Sequence, residues 1–390
     1  MKVLFITYDF PYPTTSGGKN RAFHLIKLAA KKHEVSLFSF TREGFNESYK
    51  DELFKIGVKK IKLFRRRAVW DFRNISALIS SSSSIFKQLY FDESLYRHLL
   101  SFLTDEKIDI LHCESFYTGF YISDEIKKLG ITQVFGTENL EYKIYEDYVQ
   151  RSIPFFCRLF FQNELSKIKR EEEWMLTNSD INIAVTEQEA EEIKGISKIP
   201  CVIVENGIDL SYFNFQKRKD NGKKLLFVGN FSYFPNSDAM QYFYHEIFKH
   251  IADPDLRLTI VGKRADSLSF LPDARIRTIE YVSDIRDVYA DSDIFVSPVR
   301  IGGGTNFKIL EAMATGLSVV ADSSRLEGLG ITNDEEVLIA DTAVMFREKI
   351  EGLLQNNKLR ETLAKNARKF VEEHFSWEEI GKKLDRIYKK

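Results

Sequence analysis

Ile301-Gly302-Gly303-Gly304-Thr305-Asn306-Phe307-Lys308-Ile309-Leu310-Glu311-Ala312-Met313-Ala314-Thr315-Gly316 sets a run of three glycines directly before good helix formers. Glycines let a ligand approach the backbone closely, and Thr305 is a good N-cap. A helix from about Asn306 then turns its unpaired N–H groups and its positive dipole end toward an anion, with Lys308 adding charge. The anion expected is a phosphate. Upstream, Ser292–Pro298 reads as a buried strand, and downstream Leu317–Ala321 reads as another, so the helix is a crossover between parallel strands. Ligands of such sheets collect at the carboxyl ends of the strands.

The same alternation extends in both directions and predicts an α/β protein with two Rossmann-like halves. In the first half, strands are expected at Lys2–Thr7, Glu34–Phe40, Ile108–Cys113, Thr132–Gly136, Ile181–Thr186 and Pro200–Glu205, with helices at Lys19–Lys31 and Phe161–Leu176. In the second, strands are expected at Lys224–Val228, Leu256–Val261, Ile276–Ile279, Ile294–Ser297, Ser318–Ala321 and Val337–Ala340, with a helix at Asp238–His250. Asn206-Gly207-Ile208-Asp209 is a turn signal, and Phe215–Lys224 loses periodicity as a linker does. The chain of 390 residues exceeds the usual size of one core, so two domains are expected: 1–205 with a C-terminal helix at 373–390, and 206–372.

The formal charge of −1 argues against nucleic acid as an obligate partner. Cys113, Cys157 and Cys201 are odd in number and lack metal-type spacing, which points to a reducing compartment. Met1–Thr7 is too short for a signal segment, and no apolar run reaches the roughly 18 residues of a membrane span. A cytoplasmic protein is therefore expected.

Several motifs, in chain order, resemble GT-B glycosyltransferases of family 4. Gly17-Gly18 with His33-Glu34-Val35 is similar to the family's opening, and Val204-Glu205-Asn206-Gly207-Ile208-Asp209 to its hinge. Phe227-Val228-Gly229-Asn230-Phe231 and Pro235-Asn236-Ser237-Asp238-Ala239 resemble the start of the donor domain in a glycine-loop branch. In the signature segment Glu311 takes the place of the second of two glutamates, while Gly303 stands eight positions earlier where the first would be.

The resemblance implies a GT-B fold whose last helix crosses back to the first domain. It also implies a retaining transferase that uses a nucleotide diphosphate sugar, such as a UDP- or GDP-sugar, with no metal and no other cofactor. Lys308 and the Gly302–Thr305 loop would neutralise the diphosphate, Glu311 would accept hydrogen bonds from the ribose, and backbone groups of Gly303, Gly304 and Asn306 would meet the donor. Val282 would hold the base through its backbone, and Gly17 and Gly18 would lie beside the diphosphate and acceptor. Asn230 and Phe231 stand where many relatives carry an Arg and a Lys, so Lys263 and Arg264, after another strand, are the expected substitutes. His112 is expected to line the interdomain cleft as a catalytic residue. Glu114, Glu138 and Asn139 are expected on the acceptor side, with Glu114 and Glu138 in places where the family has His.

Alternative readings are an ordinary helix-surface pair for Lys308 and Glu311, and, for the chain, a nucleotide-sugar epimerase or a non-catalytic partner subunit on the same fold. Two basic, aromatic stretches, Lys59–Trp70 and Ile153–Phe161, fit an anionic membrane surface, where each cation contributes about 1 kcal/mol. The partners expected are thus a nucleotide sugar, a glycan or lipid-linked acceptor, and the cytoplasmic face of the cell membrane.

Overall fold

The computed structural model describes residues 1–42, 44–66, 82–152, 155–216, 222–268, 273–300 and 307–389. Two compact units result, Met1–Glu205 with Ile380–Lys390, and Asn206–Glu379.

Among the described residues of the first unit, one sheet contains β1 (Lys2–Thr7), β2 (Glu34–Thr41), β3 (Lys60–Arg65), β4 (Ile110–Glu114), β5 (Thr132–Gly136), β6 (Ile181–Ala184) and β7 (Cys201–Ile203). Their order is β3-β2-β1-β4-β5-β6-β7, all pairs parallel. Helices cover both faces of such a sheet, so its central strands read as continuous apolar runs. Val3, Leu4, Phe5 and Ile6 in β1 are all fully buried. The order reverses between β1 and β4, which makes their carboxyl ends the place for a ligand. There the helix Gly17–Ala30 begins, its first N–H groups capped by the Ser16 hydroxyl, which accepts from the Lys19 amide.

The second unit repeats the plan with β8 (Lys224–Val228), β9 (Arg257–Val261), β10 (Ile276–Ile279), β11 (Ile294–Ser297), β12 (Ser318–Ala321) and β13 (Leu338–Ile339). Among its described residues the order is β10-β9-β8-β11-β12-β13, again all parallel, and it reverses between β8 and β11. One apolar cluster, including Leu225, Phe227, Phe243 and Phe346, packs on one face, and another, including Leu226, Phe295, Leu310 and Met313, on the other.

Four expectations need correction. The start of the linker expected at Phe215–Lys224 belongs to the second unit, because Phe215 packs where Gly316 leaves no room for a side chain and the Gln216 amide donates to the Thr315 carbonyl, while residues 217–221 lie outside the described residues. The segment 373–390 is not one helix of the first unit, because the helix Asn357–His374 ends first and the next, Trp377–Tyr388, enters the first unit only at Ile380. The expected helix Asp238–His250 is an α-helix over Phe234–Tyr242, a π-helical turn at Phe243–Ile247 and a 3-10 turn at Phe248–His250. Finally, part of the basic stretch 59–70 is the edge strand β3. Lys60 pairs with Glu106 at 2.5 Å, Lys62 meets His98, and Arg66 donates to the Tyr90 hydroxyl at 2.8 Å. Arg67 to Trp70 lie outside the described residues. Alternating charge is how edge strands avoid pairing with other chains, and it explains why β3 lacks an apolar signal.

Candidate active site

In the second unit, Gly303, Gly304, Thr305 and Asn306 lie outside the described residues, and the helix is described from Phe307 to Thr315. Its apolar side, Ile309, Leu310, Ala312 and Met313, is fully buried. That anchors Lys308 and Glu311 beside the carboxyl ends of β8 and β11.

The two do not form an ordinary surface pair. Lys308 Nζ donates to Asn236 Oδ1 at 2.9 Å and sits 4.4 Å from the centre of the Phe227 ring. No carboxylate lies within salt-bridge distance of it among the described residues. Burial, with the charge of Arg325 added, pulls its ammonium down to about 7, against the weaker opposing influence of Glu311. Glu311 Oε2 accepts from the Tyr289 hydroxyl at 2.7 Å, and burial raises the carboxyl above its ordinary range. An ammonium held so far from its preferred state is positioned to gain from an arriving anion. Asn236, Tyr289 and Phe227 complete this arrangement. Asn236 belongs to a motif already singled out, but nothing in the sequence near Tyr289 marks it.

Lys263 and Arg264 follow β9 and are exposed. Gly262 has φ +138°, and a Cβ there would fall 1.9 Å from the Gly229 oxygen, so the loops after β8 and β9 nest backbone to backbone. Arg264 takes the left-handed conformation at φ 62°, its amide donating to Glu280 Oε1 at 2.9 Å. Both residues are exposed, because this tight turn gives them no enclosed place. Val282 is half-buried and packs on the second apolar cluster.

In the first unit, Gly17 and Gly18 form the first turn of a helix and not a loop before one. His112 is a core residue and not the cleft residue expected. It is 0% exposed, stacked on Phe5 at 4.5 Å between ring centres, with Nε2 2.8 Å from Glu114 Oε2 and Nδ1 2.5 Å from the Tyr388 hydroxyl. A carboxylate only accepts, so Nε2 carries a proton. The reason is position: His112 sits within β4, flanked by β1 and β5. Glu114, at the end of that strand, takes a hydrogen bond from Arg21 Nε at 2.6 Å. Burial works to raise its carboxyl, but Arg21 and His112 outweigh it and hold it below the ordinary range.

Glu138 stands just beyond β5, its Oε1 shut off from solvent without a hydrogen-bond partner. Burial, helped by the charge of Glu114, pushes its carboxyl up to about 8. Glu141, within 3.4 Å of the Tyr117 hydroxyl that donates to it, is pushed by burial to about 7. Asn139 lies half-buried in the intervening turn. Ser115, immediately after β4, is held at φ 86°, an unfavourable conformation for a residue with a side chain, and such strain concentrates at working sites.

A Cβ on Gly18 would fall 2.4 Å from the Tyr8 hydroxyl and 2.5 and 2.6 Å from the two Glu138 oxygens. Gly18→Ala must therefore displace that carboxyl. Because misplacing a reacting group by about 1 Å costs roughly 10²-fold, turnover is expected to fall by about that factor while the circular dichroism and melting curve stay as in the parent. Parent-like turnover would show that Glu138 does not act.

Two doubly wound parallel sheets, the second with an enclosed ammonium beside its carboxyl end, are a frame suited to a phosphorylated ligand. Residues 15–212 match the family described as Glycosyltransferase Family 4, and residues 222–356 the family described as Glycosyl transferases group 1. The chain belongs to glycosyltransferase family 4, has the GT-B fold and is a nucleotide-sugar glycosyltransferase. An uncharacterised 44.6 kDa protein in the cps region of Klebsiella pneumoniae is 24% identical over 399 residues, 97% of each chain. The N,N'-diacetylbacillosaminyl-diphospho-undecaprenol alpha-1,3-N-acetylgalactosaminyltransferase of Campylobacter jejuni is 32% identical over 207 residues, 47% of this chain and 54% of that one. Anabaena HepE, solved in complex with UDP, superposes with a TM-score of 0.65 at 13% identity, covering 99% of both chains.

Proposed function

We propose that the protein is a retaining, metal-independent transferase that moves a sugar from a UDP- or GDP-sugar to a glycan or lipid-linked acceptor in surface polysaccharide assembly. The observation that carries this reading is the enclosed ammonium of Lys308, a cation with no carboxylate partner among the described residues at the carboxyl end of the second sheet. A departing diphosphate is the group whose growing charge it would meet. The second unit would hold the donor and the first, through Glu114, Glu138 and Asn139, the acceptor. Glu114 is tied on both sides by Arg21 and His112, and burial favours the neutral, poorly nucleophilic form of Glu138 and, less strongly, of Glu141. The leaving phosphate would then take the acceptor proton on the same face. The relatives from a cps region and from lipid-diphosphate glycosylation support the pathway and the acceptor class.

Thermal shift against UDP, GDP and their sugars tests the donor, since a ligand of the folded state raises its apparent stability. With the donor in hand, transfer is expected to continue in excess EDTA and to give a product with the donor's anomeric configuration by NMR. Loss of activity restored by Mn²⁺, or an inverted product, would refute the mechanism. Release of an epimerised sugar from donor alone would replace transfer by epimerisation.

No helix among the described residues is long and apolar enough to cross a membrane. We place the protein in the cytoplasm, with peripheral contact to the inner face of the cell membrane through Arg65 to Arg67. Sedimentation with anionic liposomes is expected to fall with salt and on changing Arg65, Arg66 and Arg67 together to Ser. Equal sedimentation with neutral and anionic liposomes would point to a soluble acceptor.

A further inference from the structure

We propose that Arg325, and neither Lys263 nor Arg264, is the second cation that holds the donor diphosphate together with Lys308; this rests on the reading of the second unit as the donor-binding one. Arg325 is carried by a single 3-10 turn, Ser323–Arg325, directly after β12. That turn is fixed to the neighbouring strand end, because the Asp322 amide donates to the Ser297 carbonyl at 3.1 Å and Asp322 Oδ1 accepts from the Ser324 amide at 3.1 Å. Arg325 Nε reaches the Ser324 hydroxyl at 3.2 Å, and the residue is only 9% exposed.

The physical argument is one of like charges. Arg325 lies close enough to Lys308 for its charge to oppose protonation of that amine, and burial disfavours the charge on each. Asp322 and Glu327 favour the charge on Arg325 without outweighing its burial, and a second cation near Lys308 adds a repulsion that grows as the effective dielectric constant falls. An anion accepting from both reverses the sign. A planar guanidinium is also suited to bidentate contact with phosphate oxygens, which a point-charge ammonium is not. Lys263 and Arg264 differ on each count. They follow β9, on the opposite side of β8 from β11 and β12, and stand in solvent where a single charge contributes little.

The test is titration of the full chain with inorganic pyrophosphate, UDP, GDP and the two nucleosides. Arg325→Gln is expected to weaken pyrophosphate and nucleoside diphosphate binding by about 10- to 100-fold, the range for a lost charged hydrogen bond, and to leave nucleoside binding unchanged. Arg325→Lys, which keeps the charge, should recover part of the loss, and Lys263→Gln with Arg264→Gln should stay near the parent. A purely structural role would not shift the titration of Lys308. Removing a repelling charge should move the midpoint of the pH dependence of pyrophosphate binding upward from about 7. Parent-like pyrophosphate binding in Arg325→Gln, or an equal loss in the Lys263/Arg264 double variant, overturns the assignment. A parent protein that binds none of the diphosphates removes the donor reading and this assignment with it.

Discussion

Lys308→Met is expected to weaken nucleoside diphosphate binding by roughly 1.5–3 kcal/mol, the contribution of a charged hydrogen bond in an enclosed site. Met has a similar length and can remain against the Phe227 ring, so packing is preserved while the charge is lost. The sign of the accompanying stability change identifies the residue as part of a site. In the ligand-free protein the ammonium is depressed from 10.5 to about 7, so between those values the unfolded chain binds more protons than the folded one. The contribution of Lys308 to stability therefore rises with pH across that window and is unfavourable below it. Near pH 6 the variant should be more stable than its parent and bind more weakly, the trade found where function requires a strained group. Diphosphate binding by the parent should take up a proton near pH 8, so its affinity should fall as pH rises above about 7, by up to about tenfold per unit. Glu311→Gln should also weaken binding, since the Tyr289 hydroxyl can still donate to the amide oxygen but the negative charge is gone. Calorimetry in two buffers of different ionisation enthalpy reads the proton uptake. Unchanged affinity in both folded variants would move the donor site elsewhere.

Arg21→Met is expected to cost about 3–5 kcal/mol of stability, the usual consequence of removing one partner from a buried ion pair. Arg21 and Glu114 are each 1% exposed and 2.6 Å apart. Arg21 also donates to the Val204 carbonyl at 2.9 Å, and Glu114 accepts from His112, whose other nitrogen meets Tyr388 in the C-terminal helix. The network thus joins the helix Gly17–Ala30, β4, the segment after β7 and the last helix. Without Arg21 a carboxylate is left enclosed, so the deficit should be largest near neutral pH and shrink as Glu114 is protonated in acid. Arg21→Met with Glu114→Gln should recover most of the loss, because it is the stranded charge and not the missing contact that is costly. Denaturant unfolding, with hydrogen exchange of β1, β4 and β5 to locate the change in the first unit, provides the measurement. A loss under about 1 kcal/mol for Arg21→Met would make the pair no better than an exposed one.

The candidate site was legible where chemistry and chain order coincide. The glycine run, Lys308 and Glu311 lie within one stretch of sequence, and Gly18 lies in the first turn of the helix after β1. Its remaining members come from distant parts of the chain. Tyr289 meets Glu311 from a separate helix, Arg325, whose charge acts on Lys308, comes from the turn after β12, and Glu114 finds Arg21 across 93 residues. His112 looked available because it stands near a strand end, yet the alternation of a parallel strand enclosed by β1 and β5 turns it into the core.

The sequence by itself determined the strand plan and the doubling of the α/β unit. β1, β8, β11 and β12 are largely apolar runs, and an apolar run covered on both faces is satisfied in the middle of a parallel sheet. It did not reveal β3, whose side chains are charged because the strand lies at an edge. Only the tertiary structure decided which charges are enclosed and which are solvated. Lys308 and Arg325 are desolvated while Lys263 and Arg264 are not, and Glu114 has a cation where Glu138 has none within hydrogen-bond reach. Residue identity sets the sign of a charge, but the dielectric surroundings and the neighbours that give the charge its energy are assembled only when distant strand ends converge.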